Sequence, residues 1–106
     1  MPTYVSLVNW TEQGIKTFPD TIRRAEEFSR FVQGSGGKVR ELLWTVGEYD
    51  VVHISEFSDD EKAVAAFLRL GSAGNVRSRM LRAFNAKEME AIIRATGVRM
   101  EHGSWG

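Results

Sequence analysis

Apolar and polar positions first alternate along this chain and then fall three and four apart. In Thr3 to Asn9, Val5 and Leu7 lie on one side of an extended backbone and Tyr4, Ser6 and Val8 on the other, which predicts a strand. Asn9 to Gly14 is polar and ends in glycine, the pattern of a loop. Ile22, Ala25, Phe28 and Val32 then recur at helical spacing, with Arg23, Arg24, Glu26, Glu27 and Arg30 on the outer side. This first helix begins between Thr17 and Asp20. Thr17 and Asp20 fit a capping arrangement; Pro19 is tolerated only in a first turn and disfavours helical geometry at Phe18, so Asp20 serves equally well as the cap. Gly34-Ser35-Gly36-Gly37 ends the helix.

Val39 to Val46 and Tyr49 to Phe57 read as the second and third strands, joined by Gly47-Glu48 as a two-residue hairpin loop. That register pairs Val46 with Tyr49, Trp44 with Val51 and Leu42 with His53. One face then carries Leu42, Trp44, Val46, Tyr49, Val51 and His53, the other Leu43, Thr45, Asp50, Val52 and Ile54; a bulge would change the parity. Ser58 with Glu61 predicts a capping box opening a second helix, with Ala63, Val64, Phe67 and Leu68 as its buried stripe and an end near Gly71. Asn75 to Phe84 is read as a fourth strand. Asn85 with Glu88 opens a third helix, with Met89, Ile92 and Ile93 apolar and an end near Gly97. Residues 1–96 make one domain and 97–106 a tail without clear periodicity.

The order β-α-β-β-α-β, with a C-terminal helix, is that of the ferredoxin-like α+β fold. Right-handed crossovers put both main helices on one face of an antiparallel sheet and leave the other bare. Neither face of the central hairpin is polar enough for solvent, so a sheet-to-sheet homodimer is expected.

Composition narrows the function classes. A chain of 106 residues suits one domain, and a hydrophobic fraction of 42% supports a core. With 14 basic and 14 acidic residues there is no basic surplus of the kind nucleic-acid binders and acidic-membrane binders carry. The absence of cysteine removes disulfides, thiolate metal sites and cysteine nucleophiles. No leader-like segment opens the chain and no apolar run has membrane-spanning length, so a cytoplasmic location is expected, with neither nucleic acid nor membrane as partner.

The chain resembles the GYD domain family. The resemblance rests on Tyr4-Val5, Asn9-Trp10-Thr11 with Gly14-Ile15-Lys16, the stretch Trp44 to Val52 with Gly47, Tyr49 and Asp50 in the Gly-x-Tyr-Asp pattern, Gly71 to Arg77, and Leu81-Arg82-Ala83-Phe84. It spans roughly residues 3 to 93, most of one domain, and implies a dimeric α/β-barrel arrangement of ferredoxin-like subunits. It does not imply a reaction, and nothing carries over to the segment with His102 and Trp105.

Several residues are candidates for a site, each with an alternative. Tyr49 can stack on or hydrogen-bond a ligand and Asp50 can act as a base; equally, Asp50 can accept backbone N–H groups at the turn and Tyr49 can be a packed aromatic. His53 can move a proton or be a hydrogen-bonded interior histidine; without a second histidine until His102, no metal site is expected. Tyr4, Trp10 and Trp44 can line a cleft or belong to core and interface, with Asn9 at a cleft mouth. Asn75, Arg77 and Arg79 can clamp an anion or pair with carboxylates. No phosphate-binding loop or Ser-His-Asp set is present, and no cofactor is expected. Three readings follow: an oligomeric module binding a small organic molecule, a cofactor-independent acid/base enzyme, or a structural or regulatory oligomer.

Overall fold

The computed structural model describes residues 1–99. Strands β1 (Thr3–Trp10), β2 (Lys38–Trp44), β3 (Val51–Glu56) and β4 (Val76–Ala83) form one antiparallel sheet in the order β2-β3-β1-β4. Helices α2 (Thr21–Gly34) and α3 (Asp60–Ser72) make the two crossovers, with a short α1 (Glu12–Lys16) before α2 and α4 (Ala86–Thr96) after β4. This is the ferredoxin-like arrangement with a C-terminal helix. The expected tail, with His102 and Trp105, lies mostly outside the described residues.

Sheet register separates two unlike faces. Toward the helices, three rows cross the strands: Val39-Ser55-Tyr4-Arg82, Leu42-His53-Ser6-Met80 and Trp44-Val51-Val8-Ser78. The other face carries Glu41-Ile54-Val5-Leu81 and Leu43-Val52-Leu7-Arg79. Among the described residues no helix covers its apolar centre. Leu43 is 53% exposed and Leu81 50%, while Val5, Leu7, Val52 and Ile54 are half-buried.

The core sits at one end of the helix layer. Tyr4, Phe28, Val32, Phe57, Ala63, Ala66 and Phe67 pack there, with Phe57 edge-on to both Tyr4 and Phe67. Tyr4 donates its hydroxyl proton to Asp60, and burial together with that carboxylate pushes its pKa up to about 12.

Several local expectations give way to tertiary contacts. Residues 12–14, expected as part of a loop, belong to a helical turn over 12–16, because Thr11 Oγ1 accepts from the Gly14 amide at 3.0 Å and caps it. Asp20 stands at the N-cap of α2, but its carboxylate pairs with Arg23 at 3.7 Å and makes no cap bond. The hairpin keeps the Trp44–Val51 and Leu42–His53 pairs, but Val46 and Tyr49 do not pair. Residues 45–50 form a longer loop instead, because the Asp50 amide bonds to the Val8 carbonyl of β1 at 2.9 Å. A bulge between Val39 and Glu41 shifts the register by one at the far end of the hairpin, so that Val39 pairs with Ser55 and joins the helix-facing side of Leu42 and Trp44. The cap of α3 is Asp59, accepting from the Lys62 amide at 2.8 Å, one residue after the expected Ser58.

Ile22, Val64 and Leu68, expected in buried stripes, are exposed, and Ala66 is buried in their place. The face that α3 turns to the core runs through Ala63, Ala66, Phe67 and Leu70, which leaves Val64 and Leu68 on the outer side. The capping box of Asn85 and Glu88 forms, and Gly97 closes α4 in the left-handed region at φ 75°. Yet α4 buries no residue of its own, and Met89 and Ile92 remain open to solvent.

One contact ties the two helical crossovers together. A Cβ on Gly14 would stand 1.9 Å from the Asn75 carbonyl oxygen, whereas one on Gly34 would meet nothing within 4 Å. Gly14→Ala is therefore expected to lower stability by about 2 kcal/mol or more, and Gly34→Ala to raise it by about 0.5–1 kcal/mol. Urea unfolding of the two variants checks both signs.

Candidate functional site

Opposite the core end, α2, α3 and the sheet leave a half-open cavity of about 350 Å³ between them. Its floor is the sheet, through Val8, Leu42, Val51 and His53; its walls are Phe28 and Phe31 from α2 and Phe67 and Leu70 from α3. Trp10, Trp44, Asn75 and Val76 close its flanks. A concave, mostly apolar space with a few inward polar groups is the ordinary form of a small-molecule site.

His53 is the central polar group. It is 3% exposed, with its ring 5.4 Å from Phe28 and 5.6 Å from Phe67 between centroids. Neither ring nitrogen has a hydrogen-bond partner among the described residues. Burial pushes its pKa down to about 4, so the imidazole is neutral near pH 7, with one donor and one acceptor to offer. The indole N–H of Trp10 is likewise buried and unpartnered, whereas that of Trp44 donates to Thr21 Oγ1 at 3.0 Å. Trp44 thereby joins the β2 edge to the first turn of α2.

Two backbone clasps hold the rim. The Trp10 amide donates to Asp50 Oδ2 at 2.9 Å, and Asn9 Nδ2 donates to the Glu48 carbonyl at 2.8 Å, fastening the β2–β3 loop to the end of β1. Gly47, at φ 136°, gives that loop its turn, and Thr45 Oγ1 donates to the Tyr49 carbonyl at 2.6 Å. In the second clasp the Thr11 amide donates to the Asn75 carbonyl at 3.0 Å and Thr11 Oγ1 to the Gly74 carbonyl at 2.6 Å. Gln13 Nε2 adds a bond to Asn75 Oδ1 at 3.0 Å.

The residues singled out from the sequence therefore separate. Trp10, Trp44, His53 and Asn75 meet at the cavity. Asp50 and Asn9 hold its rim from outside. Tyr4 lies in the core, beyond the cavity. Arg77 and Arg79 take the opposite face of β4, where Arg79 Nη1 donates to the Tyr49 hydroxyl at 3.5 Å. Phe28 and Phe67 were legible only as helix-core positions and Arg24, at the cavity mouth, only as an outer-face charge, while Phe31 and Arg69 were not singled out from the sequence. Their shared cavity depends on how two helices and the sheet come together, which has no local sequence signature.

Fold and cavity define a ferredoxin-like α+β domain with a small-molecule-sized space between helices and sheet. The sequence model of the GYD domain family matches residues 4–93, and the chain belongs to that family. The chain is also 27% identical over 95 residues to a protein of Thermus thermophilus described as a glutamine synthetase and cystathionine beta-lyase binding protein, covering 89% of this chain and 100% of the relative. Among the described residues no helix is long and apolar enough to cross a membrane.

The buried histidine has a pH consequence with a definite sign. Its folded-state pKa of about 4 lies below the ordinary 6.5. Between those values the unfolded chain binds a proton that the folded chain refuses, so stability falls as pH falls through this window. The full contribution is about 3 kcal/mol. Urea unfolding between pH 7 and pH 4 is expected to show this loss in the wild type and a flatter profile in His53→Phe.

The Asp50 clasp makes a separate prediction. Asp50→Ala leaves the Trp10 amide without its acceptor and is expected to cost about 1–3 kcal/mol, while Asp50→Asn, which keeps an acceptor oxygen, costs less. Equal losses in urea unfolding for both variants would contradict this role.

Proposed function

We propose that this protein is a homodimeric binding module, its subunits joined sheet to sheet, with a small organic molecule held in the helix–sheet cavity of each. The observation that carries the binding reading is the cavity floor. His53 on the floor and Trp10 on the flank carry buried hydrogen-bonding groups that the described chain does not use, bordering a space otherwise walled by rings and aliphatic groups. Burying such groups unpaired costs free energy, and a ligand with matching polar atoms recovers it. The dimer reading rests on the uncovered face centred on Val5, Leu7, Val52 and Ile54, flanked by exposed Leu43 and Leu81. A partner sheet of the same kind would bury it. Tyr49 and Arg79 then lie beside the interface rather than in the cavity.

A second reading has the relative's description in its favour: a regulatory module that docks on enzymes. The two readings are compatible, since a ligand held under α2 and α3 can alter the outer surface that a partner protein meets.

Thermal unfolding against a panel of small organic compounds separates these readings. The expected result is a compound that raises Tm of the wild type and leaves folded His53→Ala unmoved. Turnover of that compound would reassign the protein as an enzyme. If no compound moves either protein, while cognate glutamine synthetase or cystathionine beta-lyase binds the wild type in a purified mixture, the docking reading replaces the ligand reading. For the dimer, sedimentation at micromolar concentration is expected to show two subunits and Val52→Glu to show one; a wild-type monomer would sink the packing argument.

A further inference from the structure

The charges around the cavity mouth are not balanced within the described chain. Arg23, Arg24, Glu27 and Arg69 are the charged residues that line it. Arg23 is shared between Asp20 at 3.7 Å and Glu27 at 2.9 Å. Among the described residues Arg24 and Arg69 have no carboxylate partner. Arg24 donates only to neutral oxygens, Thr17 Oγ1 at 2.7 Å and the Gly14 carbonyl at 3.3 Å. The Arg69 guanidinium lies over the Phe31 ring, 4.4 Å from its centre. These two cations stand on opposite walls, one on α2 and one on α3.

The interior has the reverse character. Phe28 and Phe67 meet edge to face at 5.1 Å, and both meet the His53 ring. Rings arranged in this way present edges and faces suited to another flat ring. The floor can exchange hydrogen bonds with a neutral hydroxyl or carbonyl but does not compensate a buried charge.

Building on the reading of this cavity as a ligand site, we propose that its ligand is an aromatic carboxylic acid. The ring system lies among Phe28, Phe67 and Trp10, with any ring oxygen toward His53. The carboxylate stays at the mouth, where Arg24 and Arg69 donate to it. Such a ligand puts its charge where water and guanidinium groups reach it and its apolar body among the rings of the interior. An amine of the same shape would meet excess positive charge at the mouth. An aliphatic acid would satisfy the arginines but lose the ring contacts.

Four probes of related shape test this by calorimetry, with two-dimensional NMR of the Trp10 indole N–H and the His53 ring as the site-specific readout. They are 2-naphthoate, the neutral 2-naphthylmethanol, 2-naphthylmethylamine and octanoate. Naphthoate is expected to bind most tightly, to shift the Trp10 and His53 signals, and to weaken with added salt. In the double variant Arg24→Gln with Arg69→Gln its affinity is expected to fall about tenfold or more, toward that of the alcohol. Should that variant fold poorly, the comparison of naphthoate with the alcohol on the wild type stands alone. Equal or tighter binding of the alcohol or the amine, with the same signals shifting, overturns the carboxylate assignment and leaves the cavity reading intact. Octanoate binding as tightly as naphthoate overturns the aromatic part. If no probe shifts the Trp10 or His53 signals, the cavity reading fails along with the ligand class.

Discussion

The approach of one backbone to another at Gly14 and Asn75 is the constraint on which the helix layer depends. No side chain fits between them, so the segment after β1 lies directly against the turn before β4. Thr11 and Gln13 supply hydrogen bonds across the same junction. The two crossovers are thereby joined at one end of the sheet, while at the other the core of Tyr4, Phe57, Val32 and Ala63 draws α2 and α3 down. The cavity is the space between these attachments. It is framed by both, and shape alone would not mark it as a site without the polar groups on its floor.

Those groups run against the usual rule that buried polar atoms are paired. Ser6, Ser55 and His53 lie on the helix side of the two central strands, their side-chain polar atoms without a partner among the described residues, and Trp10 adds its indole N–H. A leucine or valine at position 53 would suit folding better, since apolar replacement removes the desolvation cost. The chain instead keeps an imidazole, held neutral by burial between two phenylalanines. Stability is therefore lower than it could be at the floor of the cavity.

The stretch that most invites a chemical reading, Gly47 to Asp50, has mainly a positional role. Asp50 accepts from the Trp10 amide, and the loop around Glu48 is held by Asn9. These contacts fix where β1 ends and hence where the Trp10 indole stands over the cavity. Both alternatives for Asp50 described an acceptor of some kind. The N–H it takes belongs to a neighbouring strand, a partner forty residues away in sequence, and no turn pattern could have named it.

Much of the architecture was legible in the order of residues alone. Alternation in Thr3 to Asn9, helical spacing through Phe28 and Val32, the Asn85–Glu88 capping box and the glycine at position 97 are local devices acting over a few residues, so their consequences appear in the order in which the residues are written. The pairs Trp44–Val51 and Leu42–His53 also followed from sequence, because a hairpin is nearly local. What only tertiary structure decided were matters of distance between separate elements. A helical stripe says that α3 buries one face, but how the helix is turned on the core decided that Ala66 is buried and Leu68 is not. A lone histidine in a strand can face either way in function. Its position beneath Phe28 and Phe67, beside a cavity with Arg24 and Arg69 at the mouth, comes from four elements meeting. Sequence determined which main elements form and in what order, since those depend on short-range sterics and periodicity. The void between them depends on how rigid bodies of unequal surface fit together, a relation among elements that no single segment carries.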